Sequence, residues 1–194
     1  MTYEVIGVGA SWGGLHAVGR LLESLPEAAW PAIVLAQHRS PSSRPGELER
    51  LLQRHSRGPV VEVADKDAIE PGRVYVAPPD YHLLVEPGWL SLSIDARVQY
   101  ARPSIDVLFE SIADAYRARA IGVVLTGASA DGAAGLARIK ARGGVALVQD
   151  PGTAERGEMP RAAIDATHAD AVLPLEEMGR FLYGLCCLPG EATA

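Results

Sequence analysis

Apolar residues along this chain follow two alternating rhythms. Residues 3–9, 32–37, 60–63, 121–125, 145–149 and 171–173 are short runs rich in valine, isoleucine, leucine and alanine, the pattern of strands buried on both faces. Between them apolar residues recur every three or four positions, which is helical spacing: Leu15, Val18, Leu21, Leu22 and Leu25 in 14–25, stopped by Pro26; Leu48, Leu51 and Leu52 in 45–55; Val107, Leu108, Ile112 and Ala115 in 105–118. Further helices are predicted over 133–142, 160–166 and 175–186, and Ser104 is placed as the N-cap of the 105–118 helix. The rhythm breaks once. Three short strands, 73–77, 83–86 and 90–94, are separated by Pro78-Pro79-Asp80 and Pro87-Gly88, and they read as an antiparallel insertion.

Repeated strand–helix units demand parallel strands with right-handed crossovers and helices on both faces. The fold class is therefore α/β: one doubly wound, mostly parallel, Rossmann-like sheet with an antiparallel insertion near residues 73–94. The expected strand order begins 3-2-1-4, with the 121–125 strand beside strand one. Residues 3–186 form the predicted domain and 187–194 a loose tail.

Composition narrows the class further. With 194 residues, 48% of them hydrophobic, the chain has enough apolar material for one well-buried domain and too little for two. A net charge of −6 argues against nucleic acid or anionic lipid as the main partner. No apolar run approaches the ~18 residues of a membrane span, and the first residues lack a signal-peptide pattern. The two cysteines, Cys186 and Cys187, are adjacent, a poor arrangement for a disulfide or a zinc site. The expectation is a cytoplasmic protein with reduced cysteines.

Candidate chemistry follows from the topology, because open α/β sheets carry their functional crevice at the carboxyl ends of the strands, where strand order reverses. Ser11 follows strand one, His38 follows strand two, and Ser129 and Asp131 follow the 121–125 strand. Serine, histidine and aspartate on one rim are the set required for acyl transfer, as nucleophile, general base and orienting carboxylate. Gly9-Ala-Ser11-Trp-Gly13 also satisfies the G-x-S-x-G nucleophile-elbow pattern on the strand-to-helix turn which that pattern requires. Backbone N–H groups at Trp12 and Gly13, at a helix N-terminus, are the expected oxyanion donors.

A glycine-rich first turn also suits a bound phosphate. The dinucleotide reading fails on two counts: Trp12 stands where the third glycine of G-x-G-x-x-G belongs, and strand two ends in Gln37-His38 without the acidic ribose-binding residue. Bland alternatives exist for each residue. Ser11, Asp131 and Ser129 could be helix caps, Ser129 is also a rival nucleophile, and His38 could be a hydrogen-bonded surface histidine. His16, His55, His82 and His168 are read as structural, with His16, near Ser11, as the alternative base. Asp106 suits the dipole of its helix, and Arg39 and Arg102 are placed on the crevice rim.

Several separated blocks, in order, resemble the catalytic domain of the bacterial chemotaxis protein-glutamate methylesterase family (CheB): GASWGG at 9–14, QH at 37–38, VYVAPPDYHLLVE at 74–86, RPSIDVLFESIA at 102–113, LTGASADGAAGL at 125–136 and MPRAAI at 159–164. The resemblance spans roughly residues 5–182. It places the family's nucleophile on Ser11, its base on His38 and its orienting carboxylate on Asp131. The implied activity is hydrolysis of γ-glutamyl methyl esters on chemoreceptor helices, with deamidation of receptor glutamines in many members, and with no metal and no organic cofactor. Methylated chemoreceptor helices or related signalling proteins are the implied partners, at receptor arrays and without membrane insertion, so an open crevice is expected. The family usually carries an N-terminal receiver domain. This sequence starts at the catalytic strand, as a stand-alone member or a piece of a longer protein. The chain departs from the family at Trp12, where a small residue is usual, and at Ala128 and Ser129, where T-G-M-G-A-D-G is common; these positions belong to the expected oxyanion and substrate region. A catalytically silent scaffold that binds a signalling partner is the alternative reading.

Overall fold

A computed structural model describes residues 3–25 and 30–186. Its elements run β1 (Val5–Ala10), α1 (Gly14–Ser24), β2 (Ala32–Gln37), α2 (Glu47–Leu52), β3 (Val60–Glu62), β4 (Val74–Val76), β5 (His82–Glu86), β6 (Trp89–Ser93), α3 (Ile105–Tyr116), β7 (Ala120–Val124), α4 (Ala133–Ala141), β8 (Val145–Gln149), α5 (Glu158–Ala166), β9 (Ala171–Leu173) and α6 (Leu175–Cys186). Pro26, the predicted stop of α1, lies outside the described residues, as does the predicted tail with Cys187.

Seven strands form one parallel sheet in the order β3-β4-β2-β1-β7-β8-β9, and β5 and β6 pair separately as an antiparallel hairpin. The doubly wound, mostly parallel fold and the antiparallel insertion are as expected, with two corrections of detail. Residues 74–76 are not part of the insertion: β4 pairs in parallel with both β2 and β3 and stands between them, so β3 is not the neighbour of β2. The hairpin itself covers only 82–93. A three-residue strand bounded by prolines looks the same in either setting, because its buried valines carry no record of strand direction.

β1 is buried along its whole length, and its neighbours are β2 on one side and β7 on the other. Alternate residues of the central strands serve two cores. Ile6, Val8, Ile33 and Leu35 join the layer under α1, α2 and α6. Val5, Val34 and Ala36 join the layer with α3, α4, α5 and the hairpin. On the second face the packing leaves no room for side chains on β1 at two positions. A Cβ on Gly7 would sit 2.6 Å from Ile112 Cδ1, and one on Gly9 would sit 2.3 Å from Ile105 Cγ2. The two glycines of the G-x-G element are thus explained by α3 lying close over the central strand.

Candidate active site

The β1–β2 ladder runs from the Val5–Ala32 pair to Ala10–Gln37 and closes with His38 N donating to Ala10 O at 3.0 Å. Ser11 and His38 are therefore the next residues on two adjacent parallel strands. From the other neighbour of β1, the β7–α4 turn brings Asp131 to the same rim. Its Oδ2 lies 2.7 Å from His38 Nε2. Asp131 is fully buried, while the His38 side chain keeps 17% exposure.

Asp131 has a second set of partners. Ser104 Oγ donates to Oδ1 (2.8 Å), Asp106 N to Oδ1 (2.9 Å) and Ile105 N to Oδ2 (2.8 Å). The carboxylate thus sits on the N-terminus of α3, where orphan N–H groups and the helix dipole favour negative charge. Burial alone would push its carboxyl up, but the bonds from His38, Asp106 N, Ile105 N and Ser104 reverse this and hold it below the usual aspartate range. It stays ionised, so the His38 Nε2–H is the donor. The lone pair available to accept a proton is then on Nδ1.

The exchange is reciprocal. Asp106, in the first turn of α3, accepts from Gly132 N (2.9 Å) and Gly135 N (2.7 Å) and so caps α4, the helix that follows Asp131. Each helix start carries the carboxylate that caps the other. Asp106 Oδ2 also receives Gln99 Nε2 at 2.7 Å. Burial, reinforced by the Asp131 charge, pushes the Asp106 carboxyl up against the pull of the Gly135 and Gly132 N–H groups. Ser104 is both the predicted N-cap of α3, accepting from Val107 N, and a donor to Asp131.

At the elbow, Ser11 N donates to Thr126 O (3.0 Å), and Ser11 O accepts from Gly14 N (2.9 Å) and Gln37 Nε2 (2.7 Å). Among the described residues Ser11 Oγ makes no hydrogen bond, and in a free enzyme the nucleophile–base bond often forms only once substrate is bound. The Trp12 and Gly13 N–H groups likewise have no partner among the described residues, and α1 has no side-chain cap. Gly13 is left-handed, φ 77°, which turns the chain sharply into the helix. Two unengaged N–H groups at a helix N-terminus beside a serine can receive an oxyanion.

Trp12 is 60% exposed and is held in place by the loop before α5. Its Nε1–H donates to Glu155 Oε1 at 2.8 Å, and the Arg156 guanidinium lies 5.6 Å from the ring centroid. Thr126 Oγ1 latches the same loop, donating to Trp12 O and accepting from Arg156 N, both at 2.9 Å.

The other predicted residues divide clearly. Ser129 accepts from Asp131 N (3.3 Å) and contacts Met159 Sδ (3.8 Å), with no hydrogen bond to His38. Ala128 is exposed beside it. His82 is buried, accepting from Ser104 N on Nδ1 and donating to Ala96 O. His55 pairs with Glu23, and His16 and His168 are exposed. Arg39 and Arg102 do line the rim, in an open cleft of about 210 Å³ beside His38 that Tyr100 and Ser129 also line. Both are braced, Arg39 on Glu62 and Ala77 O, Arg102 on Asp80 and Ile94 O. Sequence reasoning missed the second role of Ser104, the capping by Asp106, the Glu155 contact and Gln37. For Gln37 the one available signal was its place beside His38.

Residues 6–182 match the family profile of the CheB methylesterase. A relative from Leptospira interrogans is 47% identical over 186 residues, 95% of this chain and 96% of its own length. The protein-glutamate methylesterase/protein-glutamine glutaminase 1 of Hahella chejuensis is 42% identical over 181 residues, and enzyme 2 of the same name from Pseudomonas aeruginosa is 39% identical over 185. The chain covers 50% and 52% of these two, about half their length. The crystal structure of the Thermotoga maritima CheB methylesterase catalytic domain superposes with a TM-score of 0.88 at 30% identity, over 95% of this chain and all of that one. Family profile, relatives and fold agree, and the chain belongs to the CheB methylesterase family.

Proposed function

We propose that residues 3–186 are a serine esterase unit that removes methyl groups from glutamate γ-methyl esters of chemoreceptors in the cytoplasm. The relatives' names join methylesterase to protein-glutamine glutaminase, and the same site would deamidate glutamine by the same route. The observation that carries the reading is the Asp131–His38 pair, 2.7 Å apart at the end of the strand beside Ser11.

In this reading Ser11 Oγ attacks the ester carbonyl as His38 Nδ1 takes its proton. Asp131 holds the ring through Nε2–H and stabilises the imidazolium. The tetrahedral oxyanion is received by the Trp12 and Gly13 N–H groups, with Ala128 and Ser129 on the facing turn. The imidazolium then protonates methanol as the C–O bond breaks. Water, deprotonated by His38, attacks the acyl-serine and releases glutamate and free Ser11. For a glutamine side chain the leaving group is ammonia. The cleft at His38 is open, as a helical substrate segment requires, and the fixed Trp12 indole forms a wall next to the nucleophile.

The test is methanol release from a methylated chemoreceptor. Ser11→Ala and His38→Ala are each expected to reduce it by roughly 10³-fold or more. Undiminished release by Ser11→Ala would reject the triad. Absence of release by the unaltered chain from methylated receptors would favour the silent scaffold.

A further inference from the structure

Past Ala10 the backbone of the nucleophile leaves the sheet. On the β7 side it is still tied, by Ser11 N to Thr126 O. On the β2 side the ladder has ended, and the tie is made by a side chain. Gln37, the last residue of β2 and 8% exposed, extends its carboxamide between the two strands. Nε2 donates to Ser11 O at 2.7 Å and to His38 O at 3.1 Å. Two carbonyls around one nitrogen fix the orientation of the amide, since the flipped group would face both with its oxygen.

The arrangement requires concessions from its surroundings. Gln37 Oε1 is buried and has no hydrogen-bond partner among the described residues. It also occupies the space over Gly14, where a Cβ would fall 2.0 Å from it. An orphaned acceptor is more than packing needs, because an apolar side chain of similar length would fill the same space without one.

We infer that Gln37 is a positioning residue, whose carboxamide sets the separation of nucleophile and base by holding the carbonyls of Ser11 and His38 on one nitrogen. Ser11 Oγ and His38 do not hold each other in the free protein, so their spacing is set through the main chain. The inference rests on the triad reading above, and the experiment separates the two.

Gln37→Met keeps length and removes the donor; Gln37→Glu keeps shape and replaces the donor with an acceptor. Each is compared with the unaltered chain in methanol release, and in the rate at which phenylmethylsulfonyl fluoride modifies Ser11, with the adduct mapped by mass. This small reagent makes no use of receptor docking. The expected result is a fall of at least about tenfold in both kcat and the sulfonylation rate, with KM within about twofold. Secondary structure by circular dichroism should stay the same. Unchanged sulfonylation and kcat in a folded variant would overturn the inference, and so would failure of both variants to fold, which would make Gln37 a residue of the fold alone. If the unaltered chain is not modified at Ser11 and Ser11→Ala keeps full activity, the triad reading has failed and the inference falls with it. Modification of the unaltered chain and both variants at equal rates removes the inference alone.

Discussion

Because Asp131 accepts from His38 and also from the first turn of α3, replacing it removes two things of different size. Asp131→Asn can still accept on Oδ1, but its amide cannot serve both the imidazole N–H and the Ile105 N–H as the carboxylate does. The His38 ring then loses its fixed orientation and the charge that stabilises the imidazolium. Methanol release is expected to fall roughly 10³- to 10⁴-fold, the scale seen when the orienting carboxylate of other triads becomes an amide. The stability loss belongs to a damaged cap, about 0.5–2 kcal/mol. Activity assays and urea unfolding on one preparation read both. A loss of activity no larger than the unfolded fraction explains would assign Asp131 to capping alone. That was the bland reading of an aspartate before a helix, and the residue is in fact a cap, but of the neighbouring helix.

Helix α3 links the elements of the site. It lies over Gly7 and Gly9 of β1, and its N-terminus holds Asp131. Gly9→Ala would set a methyl group against Ile105 Cγ2, one residue from the N-cap. Overpacking of this kind costs about 1–3 kcal/mol. The expected outcome is a lowered urea midpoint together with lost methanol release, because the helix shifts just where it meets Asp131. Gly46→Ala, at a left-handed position with open space around it, should lose stability without losing activity in proportion. The alternation of elements was legible in the sequence because burial on both faces and helical stripes leave different periods. So was the rim, since topology alone carries Ser11, His38 and Asp131 to the ends of adjacent strands. The purpose of the first glycines was not legible. A Gly-x-Gly run looks the same whether phosphate, oxyanion or a close helix requires it, and the residues that decide, Ile105 and Ile112, lie about 100 positions away. The insertion of β4 between β2 and β3 was hidden for a similar reason, since pairing partners are a long-range property.

At the scale of the whole molecule, helices α3 and α4 are joined at their starts by one pair of buried carboxyl groups with opposed titration. Asp131 is held below the ordinary aspartate range and Asp106 is pushed above it, and each touches the helix that carries the other. A carboxyl with a lowered folded-state pKa adds stability above its unfolded pKa and loses it as pH falls through the folded value. For a raised one the advantage lies with the protonated form, present at low pH and lost as pH rises through the folded value. Urea unfolding of the unaltered chain, Asp131→Asn and Asp106→Asn between about pH 3 and pH 7 should therefore give differences that run in opposite directions. The penalty of Asp131→Asn is greatest near neutrality and shrinks on acidification. Asp106→Asn, whose oxygen can still cap Gly132 and Gly135, compares worst with the unaltered chain in acid and gains on it as pH rises. Parallel trends in the two variants would mean that the two carboxyl groups are not shifted in opposite directions, and that the crossed caps hold the helices without regard to charge.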